Sequence, residues 1–286
     1  ETLVRRVHMD LRGLPPTPEQ IDDYMADTSD KAYEHMVDRA LASPHYGERM
    51  AIDWLDIARY GDSNALHHEM LRTSWPWRDW VIHAFNSNYS YKKFVTWQLA
   101  GDLIPGANKE MLLATGFNRN HKITQEGGVI DEEYRVEYIN DRTSTFGKSF
   151  LALTFECSKC HDHKYDPISQ KDYYSTYAFF NQVPEKGLFG TIDASFADPP
   201  NMRITSKDVN SLLKFINKRD TFAVDVMVMK DSANMRKTHI LSRGNYDMPT
   251  FEVGVGIPKS ILPYSTAKYG QNRLGLVRWM FDDANP

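Results

Sequence analysis

The chain of 286 residues has two cysteines, and they stand three apart in the run Glu156-Cys157-Ser158-Lys159-Cys160-His161-Asp162-His163-Lys164-Tyr165-Asp166-Pro167. Cys-x-x-Cys-His is the attachment pattern of haem c. On a helical turn, two thiols at this spacing can both reach the vinyl groups on one edge of a porphyrin. The next residue then brings its imidazole under the iron, where histidine is the commonest proximal ligand. Covalent haem c on Cys157 and Cys160 with His161 on the iron is the expected chemistry. Two other chemistries use the same residues. Zinc takes four nitrogen or sulfur ligands, and Cys157, Cys160 and His161 or His163 supply three or four, although so short a loop rarely closes a tetrahedron alone. A dithiol redox pair is the third, but that motif belongs in a βαβ context, which this helical stretch lacks.

His163 lies two residues beyond His161, on the same side of a porphyrin, so it is expected near a haem propionate or in a separate catalytic role. Asp162, Asp166 or a carbonyl near Pro167 can orient a histidine ring through its second nitrogen. The opposite iron ligand is not set by local spacing. His121, in the polar loop Asn118-Arg119-Asn120-His121, is the first candidate, followed by His67, His68 and Met70. A vacant sixth position would favour catalysis over electron transfer. In that case Asp62, His67, His121 and His163 are the acid/base candidates. Arg59 and Arg78, with Arg72, Arg135 and Arg142, are candidate propionate partners because a guanidinium grips a carboxylate as a fork. For each the plainer role is a surface ion pair. Three tryptophans in Trp75-Pro76-Trp77-Arg78-Asp79-Trp80 suit a core, a haem wall or a sugar-stacking face. There is no P-loop, dinucleotide fingerprint or Gly-x-Ser-x-Gly elbow.

Helices must position these groups. Residues 30–43 carry Tyr33, Met36, Val37, Ala40 and Leu41 at helical spacing, with Asp30 as the expected cap and Pro44 as the stop. Thr17 is expected to cap a short helix with Pro18 at its first position. Further helices are expected over residues 45–60, 75–85, 91–103, 109–117, 131–154 and 170–180. The loops 61–73 and 118–130 are long and polar, as functional loops often are. After Asn181 the pattern changes: residues 184–200 read as loop, 206–218 as a short helix, 221–229 and 237–243 as strands, and 271–281 as helix.

The expected fold class is therefore mainly α, a helical haem c-bearing domain with a small mixed α/β C-terminal segment. The expected divisions are residues 1–183, a linker with a short helix over 184–220, and 221–286. Hydrophobic residues at 41% and charged residues at 25% suit a folded globular chain. A net charge of -4 provides no sequence-wide basic footprint for nucleic acid. No run of about 18 apolar residues suits a membrane span. No signal peptide is evident, and a chain that opens inside a helix reads as a mature or trimmed segment.

Several stretches resemble a known family. They are residues 5–17 (RRVHMDLRGLPPT), Tyr46-Gly47-Glu48-Arg49, residues 54–63 (WLDIARYGDS), Arg78 to Ile82, residues 98–103 (QLAGDL), residues 114–121 (ATGFNRNH) and residues 157–169. Together they resemble the planctomycete-type cytochrome c-like domain over about residues 1–183. Residues 238–247 (THILSRGNYD) and 272–276 (NRLGL) are similar to the start of the planctomycete-specific domain that usually follows. In such proteins a longer insert separates the two and the second domain runs on. The resemblance thus implies a fragment, with a stretch missing near Asp220 and Thr221. It also implies haem c attachment outside the cytoplasm, in the periplasm or after secretion, and a neighbourhood of carbohydrate-degrading enzymes. The expected function is an extracytoplasmic c-type cytochrome exchanging electrons with a partner protein. A haem c-dependent enzyme acting on a carbohydrate-type substrate and a zinc-stabilised binding module are the alternatives.

Overall fold

The computed structural model describes residues 1–66, 69–188, 197–216 and 223–285. About half of the chain is helical, and two small antiparallel sheets lie towards its C-terminal end. The helices are α1 (Thr2–Arg12), α2 (Pro18–Ala26), α3 (Ala32–Leu41), α4 (Pro44–Ile57), α5 (Trp75–Asn86), α6 (Tyr91–Ala100), α7 (Lys109–Ala114), α8 (Asp131–Leu151), α9 (Gln170–Tyr177), α10 (Ser206–Ser211), α11 (Thr266–Tyr269) and α12 (Arg273–Met280). Strands β1 (Asn201–Thr205) and β2 (Ala223–Met227) pair with each other, as do β3 (Thr238–Leu241) and β4 (Pro249–Val253).

Local chemistry sets most boundaries. Thr17 caps α2 with a full capping box to Gln20, and Pro18 takes the first helical position. Helix α3 ends before Pro44, as expected, and Pro44 itself opens the next helix. Ser43 accepts from the His45 N–H, and proline at the first turn lacks only a donor that the helix does not use. Lys31, not Asp30, stands at the N-cap of α3. Residues 212–216 turn away from α10 instead of extending it, and β1 forms in the stretch between the expected loop and the expected helix, for which no element was expected. Its hydrophobic alternation is short, and the strand is held by pairing with β2 and by burial of Met202 and Ile204 in the core. The expected break near residues 220–221 lies outside the described residues.

The core crosses the expected divisions. One hydrophobic cluster joins Trp80, Phe117 and Phe146 of the helical part to Ile204, Val226, Leu276 and Trp279. Trp77 and Trp80 are buried: Trp80 stacks on Phe94, and the Trp77 indole donates to the Ala114 carbonyl at 3.0 Å. The tryptophan cluster is therefore core. Helices α4 and α5 approach so closely at Gly47 that any Cβ there would lie 2.4 Å from the Ile82 carbonyl oxygen. Arg273 at the start of α12 fastens the C-terminal segment to the rest. Its fully buried guanidinium donates to both carboxylate oxygens of Asp102 at 2.8 and 2.6 Å, to Asp231 at 2.9 Å and to the Leu99 carbonyl at 2.6 Å.

Removing one partner of a buried, fully hydrogen-bonded charge cluster strands the others. Arg273→Ala is expected to lose about 3–5 kcal/mol of stability, read from urea unfolding by tryptophan fluorescence. A loss below about 1 kcal/mol, the scale of an exposed pair, would show that this contact does not hold the segments together.

Candidate functional site

The thiols lie between α8 and α9. Helix α8 ends where Ala152 turns left-handed at φ 54° and its N–H returns to the Gly147 carbonyl. Phe155 is then buried, and residues Glu156–Lys159 wind into one tight 3-10 turn. The Cys157 carbonyl accepts from the N–H groups of Cys160 at 3.3 Å and His161 at 3.4 Å, so one oxygen closes the motif. Ser158 points inward, and both cysteines are exposed.

Helix α9 clamps this loop. The Lys159 carbonyl accepts from the Tyr174 hydroxyl at 3.0 Å and from Gln170 Nε2 at 3.1 Å. The Lys159 ammonium pairs with Glu137 of α8 at 2.5 Å. Asp162 Oδ1 accepts from the Gln170 N–H at 2.7 Å. The Asp162 carbonyl, 2.7 Å from His161 Nδ1, orients the imidazole in place of the carboxylates considered from sequence. A carbonyl only accepts, so Nδ1 carries a hydrogen, and in the neutral ring the free lone pair is then on Nε2. That arrangement is typical of a metal-ligating histidine. His163 is the reverse: its Nδ1 accepts from the N–H groups of Tyr165 at 3.3 Å and Asp166 at 2.8 Å. It braces the turn that leads to Pro167, whose carbonyl accepts from the Ser260 hydroxyl at 3.2 Å.

His121 belongs to a second, buried cluster. The Glu185 carboxylate lies between the guanidiniums of Arg119 and Arg142, hydrogen-bonded to both. Arg142 also donates to the Asn118 carbonyl at 2.6 Å and to His121 Nε2 at 2.8 Å. His121 Nδ1 donates to the Lys122 carbonyl at 2.9 Å, and the ring stacks on Tyr138 with centroids 4.4 Å apart. Arg72 joins the loops by donating to the carbonyls of Gly61, Asn120 and His121. Burial, reinforced by Arg142 and Arg119, holds the His121 pKa well below its ordinary value. Burial raises the Glu185 carboxyl, but Arg142 and Arg119 outweigh it and keep the group below the usual range. Nearby Asp198 is pushed up to about 6, chiefly by burial.

This geometry corrects several expectations. His121 has both ring nitrogens engaged, so the described structure does not offer it to an iron. The arginines nominated for propionates are held by the chain itself: Arg59 by Asp141 at 2.7 Å, Arg78 by Asp79 at 2.9 Å, and Arg135 by Glu132 at 2.6 Å. Asp62 is exposed and accepts from the Tyr60 hydroxyl at 2.5 Å. Asp62 and His121 are linked through bonds to Arg72, whereas His163 belongs to the thiol loop, so these three described members of the nominated acid/base set do not form one centre. His67 and His68 lie outside the described residues. The Met70 carbonyl accepts from the Asn64 N–H at 3.0 Å, within the loop. Among the described residues no three His, Cys, Asp or Glu side chains converge as a metal site would require, so the zinc reading finds no tetrahedral donor set there. Glu185 and Asp198 were missed because they sit in Pro- and Gly-broken sequence with no periodic signal. Only the surplus of arginines in the loops and α8 hinted that a buried acid was needed.

The His121 cluster predicts a pH dependence. Below the ordinary histidine value of 6.5, the unfolded chain binds a proton there that the folded chain refuses, so stability falls as the solution is acidified. Glu185 adds to the loss below its ordinary 4.5. Asp198 opposes it: its folded carboxyl holds a proton to higher pH, so its contribution fades as pH rises through about 6. His121→Gln is expected to flatten the fall in urea midpoint between pH 7 and pH 5, and an unchanged slope would refute that assignment.

A family model described as PSCyt2, a protein of unknown function (DUF1549), matches residues 1–185, and the chain belongs to that planctomycete-type family. The match takes in both the thiol loop and the Glu185 cluster. No curated protein and no solved structure matches the chain.

Proposed function

We propose that this PSCyt2-family chain binds one haem c, with thioether bonds from Cys157 and Cys160 and with His161 Nε2 as an iron ligand. The observation that carries the reading is the His161 ring: its Nδ1–H is tied to the Asp162 carbonyl at 2.7 Å, and its Nε2 is left to bind. Both thiols of the same turn are exposed. The donor set thus fits the group. When bound, haem c would supply one-electron redox chemistry.

The chain's own part is to hold the donors. The Tyr174 and Gln170 bonds to the Lys159 carbonyl stop the peptide between the two cysteines from rotating. The bond from His161 Nδ1 fixes the ring's tautomer and its rotation about Cβ. His163 supports the far side of the loop as an acceptor of two N–H bonds, not as a ligand. A role in electron exchange outside the cytoplasm, where haem c is attached, follows from the same reading. Among the described residues no helix is long and apolar enough to cross a membrane.

Produced in a host able to attach haem c, the protein is expected to be coloured, to give a c-type pyridine haemochrome and to keep its haem after denaturation. Cys157→Ala with Cys160→Ala is expected to abolish covalent haem. A colourless wild-type protein from that host, or haem that stays covalently bound in the double variant, would overturn the proposal.

A further inference from the structure

The hairpin outside the family-matched segment packs directly on the thiol loop. Between β3 and β4 the chain makes a tight 3-10 turn over Ser242–Gly244, in which Arg243 takes a left-handed φ of 51° and Gly244 one of 76°. The Ser242 N–H donates to the Met248 carbonyl at 2.9 Å and closes the turn. A Cβ on Gly244 would lie 3.0 Å from Lys159 Cε and 3.1 Å from Cys160 Sγ. The sulfur therefore rests against a bare Cα. The loop and the hairpin are tied to each other. The Lys159 side chain is held by Glu137, and Gln170 Nε2 donates both to the Lys159 carbonyl and to the Leu241 carbonyl at 3.2 Å, linking thiol loop and hairpin through one amide.

We propose that the turn between β3 and β4 is a wall of the thiol site and that Gly244 is a positioning residue, which sets where the Cys160 sulfur lies and leaves Cys157 untouched. The two thiols are then inequivalent, and the site is incomplete without a hairpin that the family-matched segment does not contain. The consequence for haem, a second thioether that depends on this turn, rests on the proposed function. The packing itself does not.

The test uses asparagine, because it tolerates a left-handed backbone better than most side chains. Gly244→Asn adds a side chain against the sulfur. Gly106→Asn is the control, since Gly106 has a φ of 75° and a Cβ there would meet nothing within 4 Å. Reduced, haem-free full-length chain is labelled with N-ethylmaleimide and digested with trypsin, which cuts after Lys159 and so separates the two cysteines for mass spectrometry. Gly244→Asn is expected to slow labelling of Cys160 by about threefold or more, given how strongly thiol reactivity follows its immediate surroundings. Cys157, and both thiols in Gly106→Asn, are expected to keep the wild-type rate. In a haem-attaching host, Gly244→Asn is expected to yield haem held through Cys157 alone, seen as a red-shifted haemochrome band from an unreacted vinyl group. An unchanged Cys160 rate would overturn the wall whether or not the wild type carries haem. A colourless wild type with a slowed Cys160 would instead sink the haem reading and leave the wall standing.

Discussion

The Glu185 carboxylate, buried between Arg119 and Arg142, is the interaction on which the arrangement rests. A guanidinium taken out of water without a counter-charge is strongly destabilising, and here two enter the interior from different elements. Glu185 pairs with both and offsets one of the two charges, and carbonyls of Asn118, Asp198 and Pro199 accept further N–H groups, although Arg119 Nε has no hydrogen-bond partner among the described residues. Because Arg142 is on α8 and Arg119 ends the 3-10 turn after α7, the carboxylate fixes α8 against the loop that carries His121. Its residues 118–121 thereby become structural rather than open to ligands.

Helix α8 is in turn the floor of the thiol loop. Glu137 holds Lys159, and Asn140 accepts from the Tyr173 hydroxyl of α9 at 3.0 Å. Arg142 lies five residues beyond Glu137, roughly 140° round the helix, so one helix presents separate faces to the charge cluster and to the thiols. The thiol loop itself is held mostly through its backbone oxygens, those of Cys157, Lys159 and Asp162. Side chains of the motif are consequently spared for chemistry: two thiols and one imidazole nitrogen stay available, while the carbonyls of Cys157, Lys159 and Asp162 are engaged.

How the histidines divide their roles follows from what each ring faces. His161 donates to a carbonyl, His163 accepts from two backbone N–H groups, and His121 is enclosed by cations. None of these choices is visible in residue type, because a histidine can donate, accept or charge according to its neighbours. The arginines behave similarly. Their number suggested anion binding, but Arg59, Arg78, Arg119, Arg135 and Arg142 meet carboxylates of the same chain.

The sequence by itself determined the helices, through apolar spacing and caps such as Thr17, and it determined the thiol turn, because Cys-x-x-Cys-His is a local pattern within one turn of backbone. It also carried the mainly α class and the extent of the family segment to within a few residues. Only the tertiary structure decided that Glu185 closes the arginine cluster, that Arg273 joins the C-terminal segment to the core, and that Gly244 lies against the Cys160 sulfur. The reason is separation along the chain: 43 residues divide Arg142 from Glu185 and 171 divide Arg273 from Asp102. Spacing patterns report neighbours within a turn or a strand pair, whereas buried charge must be matched by whatever the folded chain brings alongside it.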